Sequence, residues 1–276
     1  MPPGDSIWRT KSRALARAQK DFRRGEPEGL HDLRVTLRRV SATAEALDRQ
    51  KLAKKSSDVV RRLSRLRQLE VDRQLLGRVR EMGLLSADVA SGLEARWDAL
   101  LRSGQKQASR AARKQRMHVI ERSLKHLARE NDEEWLYRLR RERLRAEAKL
   151  GALPEPPSDR QLHRYRLAVK KARYLAEDLT LAGMPEMSRA VATEKKIQDA
   201  IGRWNDLRLF RKRLLETRED AEKRGAVTLV RELDRLVAAL EQTVHDARRA
   251  AETIVRRRTS NLTTFGGRRQ RRESGN

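Results

Sequence analysis

The sequence contains no cysteine. That excludes disulfides, thiolate nucleophiles and thiolate metal sites together. Aromatic residues make up only 4% of the 276 residues, too few for an evident base-stacking surface. No uninterrupted apolar run approaches the roughly 18 residues of a transmembrane helix. The opening Met1-Pro2-Pro3-Gly4-Asp5 has no apolar stretch of the kind a secretory signal needs, so the cytoplasm is the expected compartment. Acid is the minority charge: 39 Asp and Glu stand against 65 Lys and Arg, a formal net charge of +26. An excess of that size repels itself unless an anionic partner is at hand. Hydrophobic residues still account for 38% of the chain, enough to bury a core, and the length fits one large domain or two modest ones.

What is present reads as helix almost throughout. Arg, Leu, Ala, Glu and Lys dominate, all good helix formers. Apolar residues recur at three and four, as in Leu93, Trp97, Leu100 and Leu101, or Leu229, Leu233, Leu236 and Leu240. The breaks are short and fall at Gly25-Glu26-Pro27, Gly83, Gly151 to Pro157, Gly183-Met184-Pro185 and Gly225. Asn131 with Glu134, and Ser158 with Gln161, form capping boxes. The pattern predicts eight helices, over 5–24, 28–49, 52–81, 86–130, 131–150, 158–182, 186–223 and 226–258. Periodicity is lost over 259–276, where Arg268, Arg269, Arg271 and Arg272 suggest a disordered basic tail.

An internal repeat orders this list. The segment His31-Asp32-Leu33-Arg34-Val35-Thr36-Leu37-Arg38-Arg39 aligns with His163-Arg164-Tyr165-Arg166-Leu167-Ala168-Val169-Lys170-Lys171. The match continues through Ala44/Ala176, Glu45/Glu177 and Leu47/Leu179. Further on, Leu63-Ser64-Arg65-Leu66-Arg67-Gln68-Leu69-Glu70 parallels Ile201-Gly202-Arg203-Trp204-Asn205-Asp206-Leu207-Arg208. Trp8 and Trp135 precede the two copies in similar fashion. The expected architecture is all-α, a pair of pseudosymmetric four-helix bundles, the first spanning 1–130 and the second 131–258. Chance likeness between arginine-rich helices is the plainer alternative.

Helical geometry gives the repeated motif a physical meaning. At about 100° per residue, with His31 at zero, Arg34 falls near 300° and Arg38 near 340°. His163, Arg166 and Lys170 repeat those angles, and Arg173 adds one near 280°. Leu33, Leu37 and Val40 point elsewhere, so each cationic stripe borders a core, where unpaired charge is costly. An anion with regularly spaced charges would satisfy such a row. Phosphate suits it, because Arg offers a planar fork of donors and Lys a point charge. Solvated helix faces or internal ion pairs are the bland reading for arginines in general. Asp206 is expected to pair with an arginine, and Glu70 fills the matching region of the first half. His118, His126 and His245 read as ordinary core or cap residues.

A helix of the form His-x-x-Arg-x-x-x-basic-basic, given twice and followed each time by a segment like Ile201-Gly202-Arg203-Trp204-Asn205-Asp206, resembles the CHAD family, named for a conserved histidine α-helical domain. The resemblance covers roughly 5–258. It implies two bundles flanking a basic central cavity or pore, binding of inorganic polyphosphate, and association with polyphosphate granules. Carried over by matched position, the anion-contacting residues are His31, Arg34, Arg38, Arg39, His163, Arg166, Lys170, Lys171 and Arg173, with Arg67 and Arg208 as less secure additions. The first copy departs from the pattern: Ser41 stands where the second has Arg173, Ser64 replaces Gly202, and Gln68 with Glu70 occupy positions where aspartates are usual.

Enzymatic readings find little footing. There is no phosphate-binding Gly-x-x-x-x-Gly-Lys loop and no His-Glu-x-x-His. His31-Asp32 and His245-Asp246 lack the further ligands of a His-Asp metal phosphohydrolase, and a cationic stripe would oppose a metal ion. The expectation is a binding protein with no catalytic residue, metal or cofactor. A nucleic-acid-binding or ribosome-associated helical protein is the competing class, with nucleic acid a weaker polyanion for the same stripes. A scaffold whose basic tail does the binding is a third. A homodimer is compatible with the sequence.

Overall fold

The structure, a computed structural model, describes residues 7–111, 114–129, 134–151 and 153–273, and the side chains among them apart from 107–109, 111, 114–116 and 259–273. Among the described residues the chain is helical and has no strand. The helices are α1 (Ile7–Arg24), α2 (Gly29–Ala46), α3 (Gln50–Glu81), α4 (Ala87–Ala111), α5 (Lys114–Leu127), α6 (Trp135–Ala148), α7 (Asp159–Leu181), α8 (Ser188–Lys223) and α9 (Val227–Glu273). A single 3-10 turn, Pro185–Met187, leads into α8.

The count rises from the expected eight because the segment 86–130 is described as two pieces, α4 and α5; residues 112–113 between them lie outside the described residues. Helix α9 is continuous past residue 258, where apolar periodicity ends. The side chains from 259 onward and residues 274–276 lie outside the described residues, as does the expectation of a disordered tail there. Elsewhere the sequence punctuation is obeyed. Gly25 and Gly183 adopt φ of 72° and 91°, a conformation that side-chain-bearing residues rarely take. Ser158 and Gln161 form the expected reciprocal cap on α7: the Gln161 N–H donates to Ser158 Oγ at 3.3 Å, and the Ser158 N–H donates to Gln161 Oε1 at 2.7 Å. Asn131 of the other capping box lies outside the described residues.

The chain forms two compact units, Met1–Glu142 with Tyr174–Ser188, and Arg143–Arg173 with Arg189–Asn276. In the first, α1 packs on α2 and α5, α2 on α3, and α3 on α4. Helix α2 sends Leu30, Leu33, Leu37, Val40 and Ala44 inward at alternating steps of three and four. They meet Leu15 of α1, Leu63 of α3, and Ile120 and Leu124 of α5. Leu175 and Leu179, from the C-terminal part of α7, complete that core. They bring a buried charge with them: Lys11 Nζ donates to Asp178 Oδ1 at 2.8 Å, and the Thr43 hydroxyl donates to Asp178 Oδ2.

The second unit buries Leu162, Val169, Trp204, Phe210, Leu233 and Ala251. It too holds charge inside. Arg143 Nη2 donates to Glu194 at 2.6 Å, and Glu147 accepts from Arg143 at 3.2 Å and from Arg258 at 2.6 Å. Burial pushes the Glu194 carboxyl up to about 7 in spite of Arg143.

Candidate functional site

In the first unit the site grows from one face of α2 against α3. Arg34 lies a turn beyond His31 and is 8% exposed. Its Nη2 donates to Ser64 Oγ of α3 at 3.3 Å, and its buried Nε finds no partner. Among the described residues no carboxylate reaches ion-pairing distance of Arg34. Burial first, and then the neighbouring guanidinium groups of Arg38 and Arg67, hold it down to about 10, with Glu70 only partly offsetting them. Arg34 is thus still a cation at neutral pH, but one kept under electrostatic pressure.

The same pressure reaches His31. Burial and then Arg67 lower it, against the opposing pull of Glu28 and Asp32. Arg67 donates to Glu70 at 3.1 Å along α3. Burial raises the Glu70 carboxyl above its usual range even so. Arg39 turns away from this row. Its Nε donates to Glu177 at 2.8 Å and its guanidinium lies 6.0 Å from the centre of the Tyr174 ring, so its charge is matched by the protein itself.

The second unit repeats the arrangement on α7 and α8. Lys170 and Arg173 are buried, at 7% and 8% exposure, and Arg166 is half-buried. An added Cβ at Gly202 would sit 3.6 Å from Arg166 Nη2, which places that guanidinium directly over the α8 backbone. Arg166 therefore meets Gly202 as Arg34 meets Ser64, at aligned positions of the two halves. His163 is held below its ordinary value by partial burial and then by Arg166, Lys170 and Arg208. Arg208 Nη2 contacts Asn205 Oδ1 at 3.5 Å, its Nη1 lies 3.7 Å from Asp159, and its guanidinium stacks 5.5 Å from the Trp204 ring. Lys171 is half-buried beside Lys170.

The aligned segments of α3 and α8 also differ in where charge sits. Positions 67 and 70 carry Arg and Glu, whereas the aligned 205 and 208 carry Asn and Arg. In both halves the arginine has an acid within reach, Glu70 at 3.1 Å from Arg67 and Asp159 at 3.7 Å from Arg208, but only Glu70 sits one turn away on the arginine's own helix.

Sequence reasoning missed Arg248. Its guanidinium lies 5.8 Å from the centre of a Trp204 ring and donates to Asp159 at 2.7 Å, so two arginines contact one indole. Nothing in its α9 surroundings signals this; the only clue is Trp204 itself, an aromatic residue in a chain that has few. Ser64 was legible only as a small residue replacing glycine, not as a hydrogen-bond partner. Among the described residues no group of His, Asp and Glu is placed to hold a metal ion, and no helix is long and apolar enough to cross a membrane.

A row of partly desolvated cations can hold an anion, and the histidines can add charge when protonated. Residues 6–215 match the CHAD domain family. The chain belongs to that family. Both cationic rows lie inside the CHAD domain, while all of α9 follows it. Two solved structures share the fold. One is PptA from Streptomyces chartreusis, with a TM-score of 0.64 and 20% identity over 92% of this chain and 99% of that one. The other is the CHAD domain from the plant Ricinus communis, with a TM-score of 0.64 and 18% identity over 91% of this chain and 93% of that one. Comparison with curated protein sequences gives no match.

Proposed function

We propose that this CHAD protein binds inorganic polyphosphate through the cationic rows of α2 and α7 and performs no chemistry on it. The observation that carries the reading is Arg34: a buried guanidinium, crowded by Arg38 and Arg67, whose one hydrogen-bond partner among the described residues is a neutral hydroxyl. A phosphate oxygen supplies the charge that the protein withholds. Arg166, Lys170 and Arg173 line the corresponding face of α7 in the second unit. The central basic cavity between two bundles, the internal duplication and recruitment to polyphosphate granules, all implied by the family resemblance, belong to this proposal. The contacting set is His31, Arg34, Arg38, Arg67, His163, Arg166, Lys170, Lys171, Arg173 and Arg208, with Arg39 contributing only if Glu177 releases it.

Replacement of Arg34, Arg38, Arg166 and Lys170 together by Ala is expected to abolish polyphosphate binding at physiological salt, while circular dichroism stays helical. Binding rests on counterion release, so wild-type affinity should fall steeply as salt rises. In competition at fixed salt, polyphosphate should displace labelled polyphosphate at far lower phosphate concentration than duplex DNA or RNA. Near-native affinity in the fourfold variant, or equal competition by nucleic acid, sinks the proposal. Deletion of 259–276 should leave binding in place.

A further inference from the structure

A third histidine-led row of cations lies on α5. His118, Arg122 and Lys125 follow one another at steps of four and three, which keeps them within about 60° of one helical face, and Arg129 follows in the turn just past the helix end. The helical part of the row extends for about 10 Å at 1.5 Å per residue. All four are exposed. So is His126, which leaves the cap alternative of the core-or-cap reading for both histidines. Arg122 Nη2 sits 3.0 Å from His118 Nε2, an interaction that points the guanidinium along the row rather than across it.

Helix α1 packs beside α5 and supplies a second wall. One cleft is lined by Arg9, Ser12 and Arg13 of α1 together with Lys125, Ala128 and Arg129; an adjoining one is lined by His118, Glu121, Arg122, Lys125, His126 and Arg129. Lys125 and Arg129 border both, so the two clefts form one continuous groove. Among the described residues lining it, five are Arg or Lys and only Glu121 is acidic. None belongs to the α2 or α7 rows.

We infer that this α1–α5 groove is a second polyanion-binding site, and that its ligand is another stretch of inorganic polyphosphate. Packed helices lie about 8–10 Å apart, and a groove between them accepts a single flexible strand. Among the described residues its lining carries no Phe, Tyr or Trp, so it lacks the large rings on which successive nucleobases stack best. A chain of bare phosphates needs none. With one site on the motif rows and another in this groove, each protein can hold two segments and thereby cross-link long polyphosphate. The inference rests on the proposed polyphosphate reading.

The test compares the full chain with three variants at low salt, titrated with long-chain inorganic polyphosphate and with single-stranded RNA. The groove variant carries Arg13→Ala, Arg122→Ala, Lys125→Ala and Arg129→Ala; the second variant is the fourfold change on α2 and α7; the third combines both. The groove variant should keep tight binding but lose one bound segment per chain, and should no longer form light-scattering assemblies with long polyphosphate. The α2/α7 variant should retain weak binding at low salt, and the combined variant none. Unchanged stoichiometry and assembly in the groove variant, with helicity and melting temperature preserved, overturns the inference but leaves the α2/α7 site standing. Loss of RNA binding alone in the groove variant overturns it too, in favour of a nucleic-acid contact. If wild type binds no polyphosphate, the underlying reading fails and the inference falls with it.

Discussion

Arg67 and Glu70 are joined across one turn of α3 at 3.1 Å, at positions where the second half carries Asn205 and Arg208. Glu70 therefore ties up Arg67 and adds a negative charge beside the proposed phosphate path. Glu70→Gln should tighten polyphosphate binding several-fold, with most of the gain at low salt, where surface charge is least screened. Isothermal titration at two salt concentrations measures it. Weaker binding in this variant contradicts the placement of the ligand beside α3.

Histidine protonation gives binding a defined pH dependence. In the free protein His31 and His163 lie below the ordinary value of 6.5, through burial and then neighbouring arginines. A bound polyanion favours the charged imidazole and raises both. Affinity should therefore climb as pH falls through the bound-state value, and level off below the free-state value. Glu28 and Asp32 beside His31 soften the rise on that side, while protonation of Glu70 adds to it. The stability of the free protein moves the opposite way. Lowered histidines contribute stability above 6.5 that is lost on acidification. Replacing both histidines with Gln should flatten the affinity profile between pH 5 and pH 8, read by fluorescence anisotropy.

The Lys11–Asp178 pair is a stability determinant. Both side chains are almost fully buried, at 8% and 3% exposure. Lys11→Met strands a carboxylate with only the Thr43 hydroxyl as donor, and should cost about 3–5 kcal/mol. Chemical denaturation quantifies the loss. A cost under 1 kcal/mol means that water reaches Asp178 in solution.

Gly29 tests how closely α2 approaches the end of α1. A Cβ at this position would lie 2.7 Å from the backbone of Asp21 and Phe22, closer than atoms pack. Gly29→Ala should destabilise by about 1–3 kcal/mol, as overpacking does, and the shift of α2 should weaken polyphosphate binding as well. Gly92→Ala, with open space around it inside α4, is the control: it should leave binding unchanged and raise stability by about 0.5–1 kcal/mol.

These sites differ in how openly the sequence declares them. The helix ends at Gly25 and Gly183 and the Ser158–Gln161 cap were legible because each is a local rule, satisfied within a few residues. The rows on α2 and α7 were legible because helical phase follows from spacing alone. Partners were not. Arg39 meets Glu177 138 residues away, Lys11 meets Asp178 167 residues away, and no periodicity encodes such pairings. The α5 groove stayed hidden for a related reason: its row is plain in the spacing, but its second wall comes from α1.

The division of α7 between the two units limits how the protein can be taken apart. His163, Arg166 and Lys170 belong to the second unit, whereas Leu175, Asp178 and Leu179, further along the same helix, belong to the first. Helix α2 has no such split and stays wholly within its own unit. The similar halves are consequently not interchangeable parts. A fragment ending near residue 130 would expose the seat of Leu175 and Leu179 and leave Lys11 buried without a carboxylate, and a tandem of two first halves would inherit the same defect twice. Any dissection that keeps each core closed must carry α7 with both pieces.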